Sequence, residues 1–331
     1  MSQATVYEVA RKAGVSIATV SRVLNTPERV NETTRTRVHR AIDELGFVPK
    51  AEATARARKS QGRIGVLAPF FTFPSFVARF RGVANALSDS SYDLAIYNVD
   101  SSSRRAGLLA SLPVTRRVDA LIIMALPFDD EAAYRLVTHD LPTVLIEYSR
   151  SPFSSVRIDD AGGGAMAAQH LIGAGHRRCA FVGDSDVPDY AMRNSDMRLA
   201  GYRQALAESG VELPSEYVAC APHGLEEARL SSLTLLDLPT PPTAIFAASD
   251  TQAMGVLKAA RERGLRVPAD LAVIGFDDID VADYIGLTTI RQHLEESGRV
   301  AVDLLLSRLA DPSRAAQEAW LPLSLVQRET A

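Results

Sequence analysis

Thr5–Asn25 reads TVYEVARKAGVSIATVSRVLN, and this stretch sets the interpretation of everything around it. Thr5 followed three residues later by Glu8 is a capping box, and Val6, Val9, Ala10 and Ala13 then recur at helical spacing. Gly14 breaks that helix. Ser16 is a good N-cap for a second helix running through Leu24, which Asn25-Thr26-Pro27 ends. At about 100° per residue, Val20, Val23 and Leu24 share one side of the second helix, and Ile17, Ala18, Ser21, Arg22 and Asn25 share the other. Downstream, Asn31 can cap a third helix whose Val38, Ala41, Ile42 and Leu45 form an apolar stripe; Gly46 ends it and Pro49 closes the unit.

A short helix with a packed back and a front of small, apolar and Arg/Ser groups suits the major groove of DNA. Arg22 can chelate the acceptors of guanine, and Ile17 and Ala18 can touch a thymine methyl. The hydroxyls of Thr5, Ser16 and Thr19, with the helix N-terminal amides, can hold phosphates. The same geometry also occurs in protein–protein modules, and a three-helix bundle with an incidental surface arginine is the alternative. Charge favours DNA. Residues 1–60 hold eleven Lys/Arg against six Asp/Glu, although the whole chain carries a net charge of -4. A basic head on an acidic body points the head towards a polyanion.

Residues 50–60, KAEATARARKS, are Ala-rich with almost no large apolar side chain, so a helix here is marginal unless a partner supports it. From Arg63 the pattern changes to apolar runs separated by helical stretches: RIGVLAP, YDLAIYN, DALIIMA, TVLIE, CAFVG, TAIFAA and LAVIG. Helices are expected to start near Ser75, Glu131, Ala161, Ser195, Glu226, Thr251 and Glu295. Strands apolar on both faces, alternating with helices, mean parallel sheets covered on both sides. The run is too long for one such unit, so the predicted fold class is α/β with two sheet subdomains behind the helical head. The expected boundaries are 1–49 for the head, 50–60 for a hinge, 61–160 with 293–328 for one subdomain, and 161–292 for the other. The C-terminal helix and the strand-like WLPLSLV are expected to return to the first subdomain.

Several function classes are excluded. The N-terminus has no apolar signal region, and no apolar run approaches the roughly 20 residues that span a bilayer. The two cysteines, Cys179 and Cys220, lie in strand-like surroundings and read as buried thiols of a reducing cytoplasm. There is no P-loop, HExxH, GxSxG or zinc spacing. Neither catalytic residues, a metal nor a cofactor is expected. Gly162-Gly163-Gly164 lacks the lysine of a phosphate loop and reads as a hinge, and Asp159-Asp160 as a hinge or helix cap.

TVYEVARKAGVSIATVSRVLN, followed by TRTRVHRAIDELGFVP, resembles the head of the lactose-repressor (LacI) family of bacterial transcription regulators. The likeness continues through AGYRQAL, the Ser249-Asp250 pair before a helix, VIGFDD and LTTIRQ. The resemblance implies a helix-turn-helix domain, a hinge, and a body like a periplasmic sugar-binding protein. Ile17, Ala18 and Arg22 fall on the family's base-reading positions. Lys50 and Arg56 fall where the family has Asn and a Leu that wedges into the minor groove. Arginine cannot unstack a base step as leucine does, so electrostatic minor-groove binding with less kinking is expected, with a linker touching only phosphates as the alternative.

A small effector is expected at the carboxyl ends of the body's strands. Phe71, Phe73 and Phe76 belong to an aromatic-dense segment that can stack on a pyranose face or serve core and interface. Arg198 and Asp277 match positions that commonly bond the effector in the family. Asp250 is either a contact or a helix cap, Ser249 replaces a common Asn, and Tyr148 and Tyr190 are weaker candidates. The reading is therefore a cytoplasmic, homodimeric regulator, a repressor of a pseudo-palindromic operator, controlled by a carbohydrate. The dimer surface implied is the helix from Ser75, with Phe76, Phe80 and Val83, and the segment Val281–Ile285. A solute-binding protein without DNA function and a regulator controlled by a phosphocarrier protein are the alternatives.

Overall fold

The structure is a computed structural model, and it describes residues 4–47 and 62–331. The expectations for Lys50 and Arg56 lie outside the described residues.

The head forms as its punctuation requires. Helix α1 (Val6–Ala13) opens on the Thr5/Glu8 capping box and closes on Gly14 at φ 63°. Helix α2 (Ile17–Asn25) is capped by Ser16, and α3 (Glu32–Leu45) by Asn31, with Gly46 at φ 57° ending it. A 3-10 turn, Pro27–Arg29, joins α2 to α3. Val9, Val20, Val23, Val38 and Ile42 are fully buried and make the small core.

The rest of the chain builds two α/β sheets. The first contains β1 (Gly62–Ala68), β2 (Tyr92–Asn98), β3 (Ala120–Met124), β4 (Thr143–Ile146), β5 (Ser154–Arg157) and β11 (Glu318–Trp320), in the order β11-β5-β4-β3-β1-β2. α4 (Pro74–Leu87), α5 (Ser102–Thr115) and α6 (Asp130–Thr138) follow β1, β2 and β3 along the chain. The second contains β6 (Cys179–Asp184), β7 (Val218–Ala221), β8 (Ala244–Ala247), β9 (Ala272–Asp277), β10 (Thr288–Arg291) and β12 (Ser324–Val326), in the order β12-β10-β9-β8-β6-β7. Interspersed with its strands along the chain are α7 (Asp160–Gly173), α8 (Asn194–Glu208), α9 (Leu225–Leu236), α10 (Asp250–Glu262) and α11 (Asp280–Tyr284); α12 (Leu294–Ala310) follows β10, and its part from Ala301 belongs to the first compact unit. β1 pairs in parallel with β2 and β3, and β8 with β6 and β9. Every residue of β3, β8 and β9 is buried, as helices on both faces demand.

The chain divides into two compact units. One holds the residues up to Phe71, Val83–Ser155 and Ala301–Gln317; the other holds Thr72–Gly82, Val156–Val300 and Glu318–Ala331. The head helices belong to the first unit. In the second, Phe181, Tyr202 and Phe246 are fully buried and pack ring to ring, with Tyr202 5.1 Å from Phe246.

The structure corrects five expectations. Helix α5 was not anticipated, because Pro113 in its last turn and the Ser/Arg-rich start hide the apolar positions Leu109, Leu112 and Val114. The segment WLPLSLV does not return whole to the first sheet: β12 lies antiparallel on β10 of the second, pairing Ile290 with Leu325. Gly163 and Gly164 are not a hinge but interior positions of α7. A Cβ at Gly164 would sit 2.0 Å from the carbonyl oxygen of Arg198, and one at Gly201 would sit 1.8 Å from that of Ala161. These glycines let α7 and α8 touch backbone to backbone. Phe76, Phe80 and Val83 point into the protein, with 7%, 8% and 0% exposure, so the outward positions of α4 include Val77 and Arg81 instead. Cys179 is buried, but Cys220 is exposed on the edge strand β7.

Candidate DNA-reading face and effector-binding residues

The second helix presents the face its sequence promised. Val20 and Val23 are fully buried and Leu24 nearly so, while Ile17, Ala18, Ser21 and Arg22 are exposed. The Ser16 hydroxyl accepts the Thr19 amide proton at 3.1 Å and lies 2.9 Å from the Thr19 hydroxyl. That pair uses one of its two hydroxyl protons, which leaves the other to donate to a phosphate. Thr5 is more committed: its hydroxyl donates to Glu8 at 2.9 Å, and its amide donates to the same carboxylate at 2.7 Å. These bonds hold the Glu8 carboxyl below its usual pKa. The Asn25 side chain lies outside the described residues.

In the second unit, the carboxyl ends of the strands gather polar groups, as the crossover geometry of a parallel sheet directs. β6 ends at Asp184, β9 ends at Asp277, and His223 follows β7 by two residues. Arg198, in the first turns of α8, is 6% exposed. Its Nε donates to Asp160 at 2.8 Å, and one Nη donates to the Ala248 carbonyl at 2.6 Å and stands 3.7 Å from Asp277. The guanidinium also lies over the Phe276 ring at 3.6 Å. Asp277 and Asp278 hold positive φ, 118° and 58°, a conformation that costs energy in L residues and re-aims both carboxylates at the strand end. Asp277 accepts from the amide of Gln292, which accepts in turn from Arg79 at 2.8 Å. Asp278 turns instead to Arg291 at 2.6 Å. The arrangement is a rigid, charge-assisted donor and acceptor set suited to hydroxyls.

A second cluster stands at the same strand ends. Asp184 accepts from Gln252 at 2.9 Å and pairs with the Nδ1 of His223 at 2.9 Å. The His223 ring is stacked on Phe73, with centroids 4.7 Å apart and planes 20° from parallel. Phe73 therefore meets a ring of the protein itself. Phe76 does not: it is buried against Arg79 and is withdrawn as an effector contact. Asp250 is withdrawn too. The cap of α10 is Ser249, while fully buried Asp250 accepts from the Thr289 hydroxyl and the Ile279 amide, bracing β10 and the turn after β9. Burial, and the neighbouring charge of Asp277, raise the Asp250 carboxyl well above its usual pKa.

In the first unit, Phe71 is 40% exposed beyond β1. Tyr148, beyond β4, is half-buried and packs edge-on to Phe128 at 5.7 Å. Tyr190 is half-buried in the loop before α8. Asp160, Asp184, His223, Gln252 and Gln292 were not singled out as site residues. Asp160 looked like part of a cap, although only Asp159 caps α7, accepting from Gly162 at 2.8 Å. The other four lie between 15 and 39 residues from the nearest members of their cluster in sequence, with nothing but strand ends to relate them. The one usable signal was position: Asp184 and His223 each fall at or just past the carboxyl end of an apolar run. Among the described residues there is no group of His, Cys, Asp and Glu that could hold a metal ion, and no helix long and apolar enough to cross a membrane.

Comparison with known proteins identifies relatives of both the head and the body. Residues 5–50 match the family described as bacterial regulatory proteins, lacI family, and residues 168–331 match a periplasmic binding protein-like domain. The HTH-type transcriptional repressor CytR of Escherichia coli (strain K12) is 33% identical over 314 residues, covering 92% of this chain and 90% of its own length. The solved complex of the transcriptional regulator CelR with cellobiose superposes with a TM-score of 0.72 at 30% identity, covering 99% of this chain and all of that one. The lac repressor dimer bound to operator and the anti-inducer ONPF gives a TM-score of 0.71 at 28% identity, covering 99% of both chains.

Proposed function

Because the chain belongs to the lacI family of bacterial regulatory proteins, we propose that it is a sequence-specific DNA-binding repressor whose operator affinity a small carbohydrate controls. The exposed Ile17/Ala18/Arg22 front on a helix whose back is fully packed carries the reading. The protein works as a homodimer in the cytoplasm, where its operator DNA is, and each head reads one half of a pseudo-palindrome. The buried Arg198–Asp160–Asp277 set and the Phe73–His223 stack support an effector with hydroxyls on a ring that has one apolar face. Lys50 and Arg56 contribute electrostatically to the minor groove.

Selection of bound sequences from a random duplex pool tests the DNA function. The wild-type chain is expected to enrich a two-fold symmetric site. Arg22→Ala is expected to lose about 1–3 kcal/mol of discrimination at one base of each half-site, roughly 5- to 150-fold. A pool that shows no enrichment, or enrichment indifferent to Arg22, would refute it. Thermal-shift screening against a sugar panel, then operator binding with each hit, tests the effector.

A further inference from the structure

The first unit contains a joint between the head and the body that operator reading does not use. On α3, Asp43 pairs with Arg135 of α6 at 3.1 Å and with His139, the C-cap of that helix, at 3.2 Å. Arg135 is 5% exposed and is held from its own helix by Glu131 at 3.0 Å. Val114 of α5 is buried in the same apolar cluster as Val38, Ile42 and Phe47 of the head. The turn between α2 and α3 also rests on α5, since a Cβ at Gly107 would sit 3.6 Å from Pro27. Beside these contacts lies a cavity of about 220 Å³, lined by Arg35 and His39 from the head and by Arg105, Leu109 and Arg135 from the body. It is half open to solvent and lined largely by charged side chains, so the joint has no continuous core there. The joint is instead one ion cluster and one apolar plug, and such contacts can form and release as a unit.

The docked face is α3. The front of α2 stays exposed while α3 is engaged, so the contact does not hide the residues assigned to DNA. We propose that Asp43, Arg135 and His139 form a latch that fixes the head on α5–α6 of its own chain and so sets the direction in which the α2 front points. The consequence for DNA rests on the repressor reading above; the latch itself does not. A restrained head reaches the duplex already oriented, and releasing it adds an ordering cost to operator binding.

The test uses the full chain with a dye on Tyr7→Cys in a Cys220→Ser background, followed by time-resolved anisotropy without DNA. The parent is expected to show only slow tumbling of the whole particle. Arg135→Gln and Asp43→Asn are each expected to add a fast component, and the double variant no more than either alone, as one shared contact requires. Gly107→Met, which strengthens α5 as a helix while pressing on Pro27, is expected to release the head with the body's melting temperature unchanged. In the unlabelled chain, Arg135→Gln is expected to weaken operator binding roughly 3- to 10-fold. Absence of the fast component from these variants, or additive effects of Asp43→Asn and Arg135→Gln, would overturn the latch. A released head with unchanged operator affinity would overturn its aiming role, and a gain in affinity would mean that docking holds the head off DNA. Arg22→Ala separates the two readings: if it spares operator selectivity, the DNA face fails while the anisotropy result stands.

Discussion

At the scale of single residues, Arg198 concentrates the chemistry of the second unit. It is buried between Asp160 and Asp277, against Phe276, in a place where an unpaired charge is expensive. Removing the guanidinium leaves carboxylates with no counter-charge, so Arg198→Met is expected to destabilise the chain by about 3–5 kcal/mol in urea unfolding. Arg198→Lys keeps the charge but loses the fork that serves Asp160 and the Ala248 carbonyl together. It is expected to stay folded and to lose most of the thermal shift that the effector gives the parent; an undiminished shift would remove Arg198 from the site. Gly201 acts through its missing side chain. A methyl group there would lie 1.8 Å from a backbone oxygen of α7, so Gly201→Ala must push the helices apart. Its expected cost is about 1–3 kcal/mol of overpacking, against the small gain in helix propensity that alanine brings at open sites.

At the scale of elements, α3 faces both the head's own core and the body. His39 is 4% exposed on that helix. Burial first, and then the positive charge of Arg135, lower its imidazole pKa to about 4, while Asp43 opposes the shift. Glu32 and Arg35 on α3, Asp129 and His139 at the two caps of α6, Glu131 within it and Arg105 on α5 are further charged and titratable groups at this joint. The neutral ring is the form the folded joint prefers. Its contribution is therefore complete above about pH 6.5, is lost progressively as pH falls to about 4, and amounts to as much as about 3 kcal/mol. Circular-dichroism melts between pH 7 and 4.5 are expected to show stability falling with acid, and His39→Asn is expected to flatten that fall. An equal slope in the variant would place the acid sensitivity in the carboxylate pairs instead.

At the scale of the whole molecule, the proposed dimer needs a surface. The inward turn of Phe76, Phe80 and Val83 leaves other groups to supply it. Tyr284, at the end of α11, is 89% exposed, and Val77 on α4 is 44% exposed. Nearby, Arg81 ties α4 to Asp280 of α11 at 3.0 Å and to Glu295 at 2.8 Å. Tyr284→Arg is expected to shift sedimentation from dimer to monomer and to weaken operator binding at protein concentrations where the parent is saturated. A dimer unaffected by the substitution would move the interface elsewhere. Operator affinity should also fall steeply with salt, because a basic head displaces counterions from the duplex.

The sequence alone determined what depends on neighbours along the chain. Caps at Thr5, Ser16 and Asn31, the glycine stops at Gly14 and Gly46, and the packed and open sides of α2 follow from spacings of one helical turn. The apolar runs likewise announced two doubly covered parallel sheets, since a strand buried on both faces has no polar side to show. Tertiary structure decided whatever depends on residues distant in sequence. Arg198 meets Asp277 because strand ends converge, Asp250 became a brace because Thr289 and Ile279 arrive beside it, and the glycines of α7 and α8 matter because two backbones touch there. Local periodicity carries the direction of a side chain but not the identity of what it meets, and these roles were set by the partner.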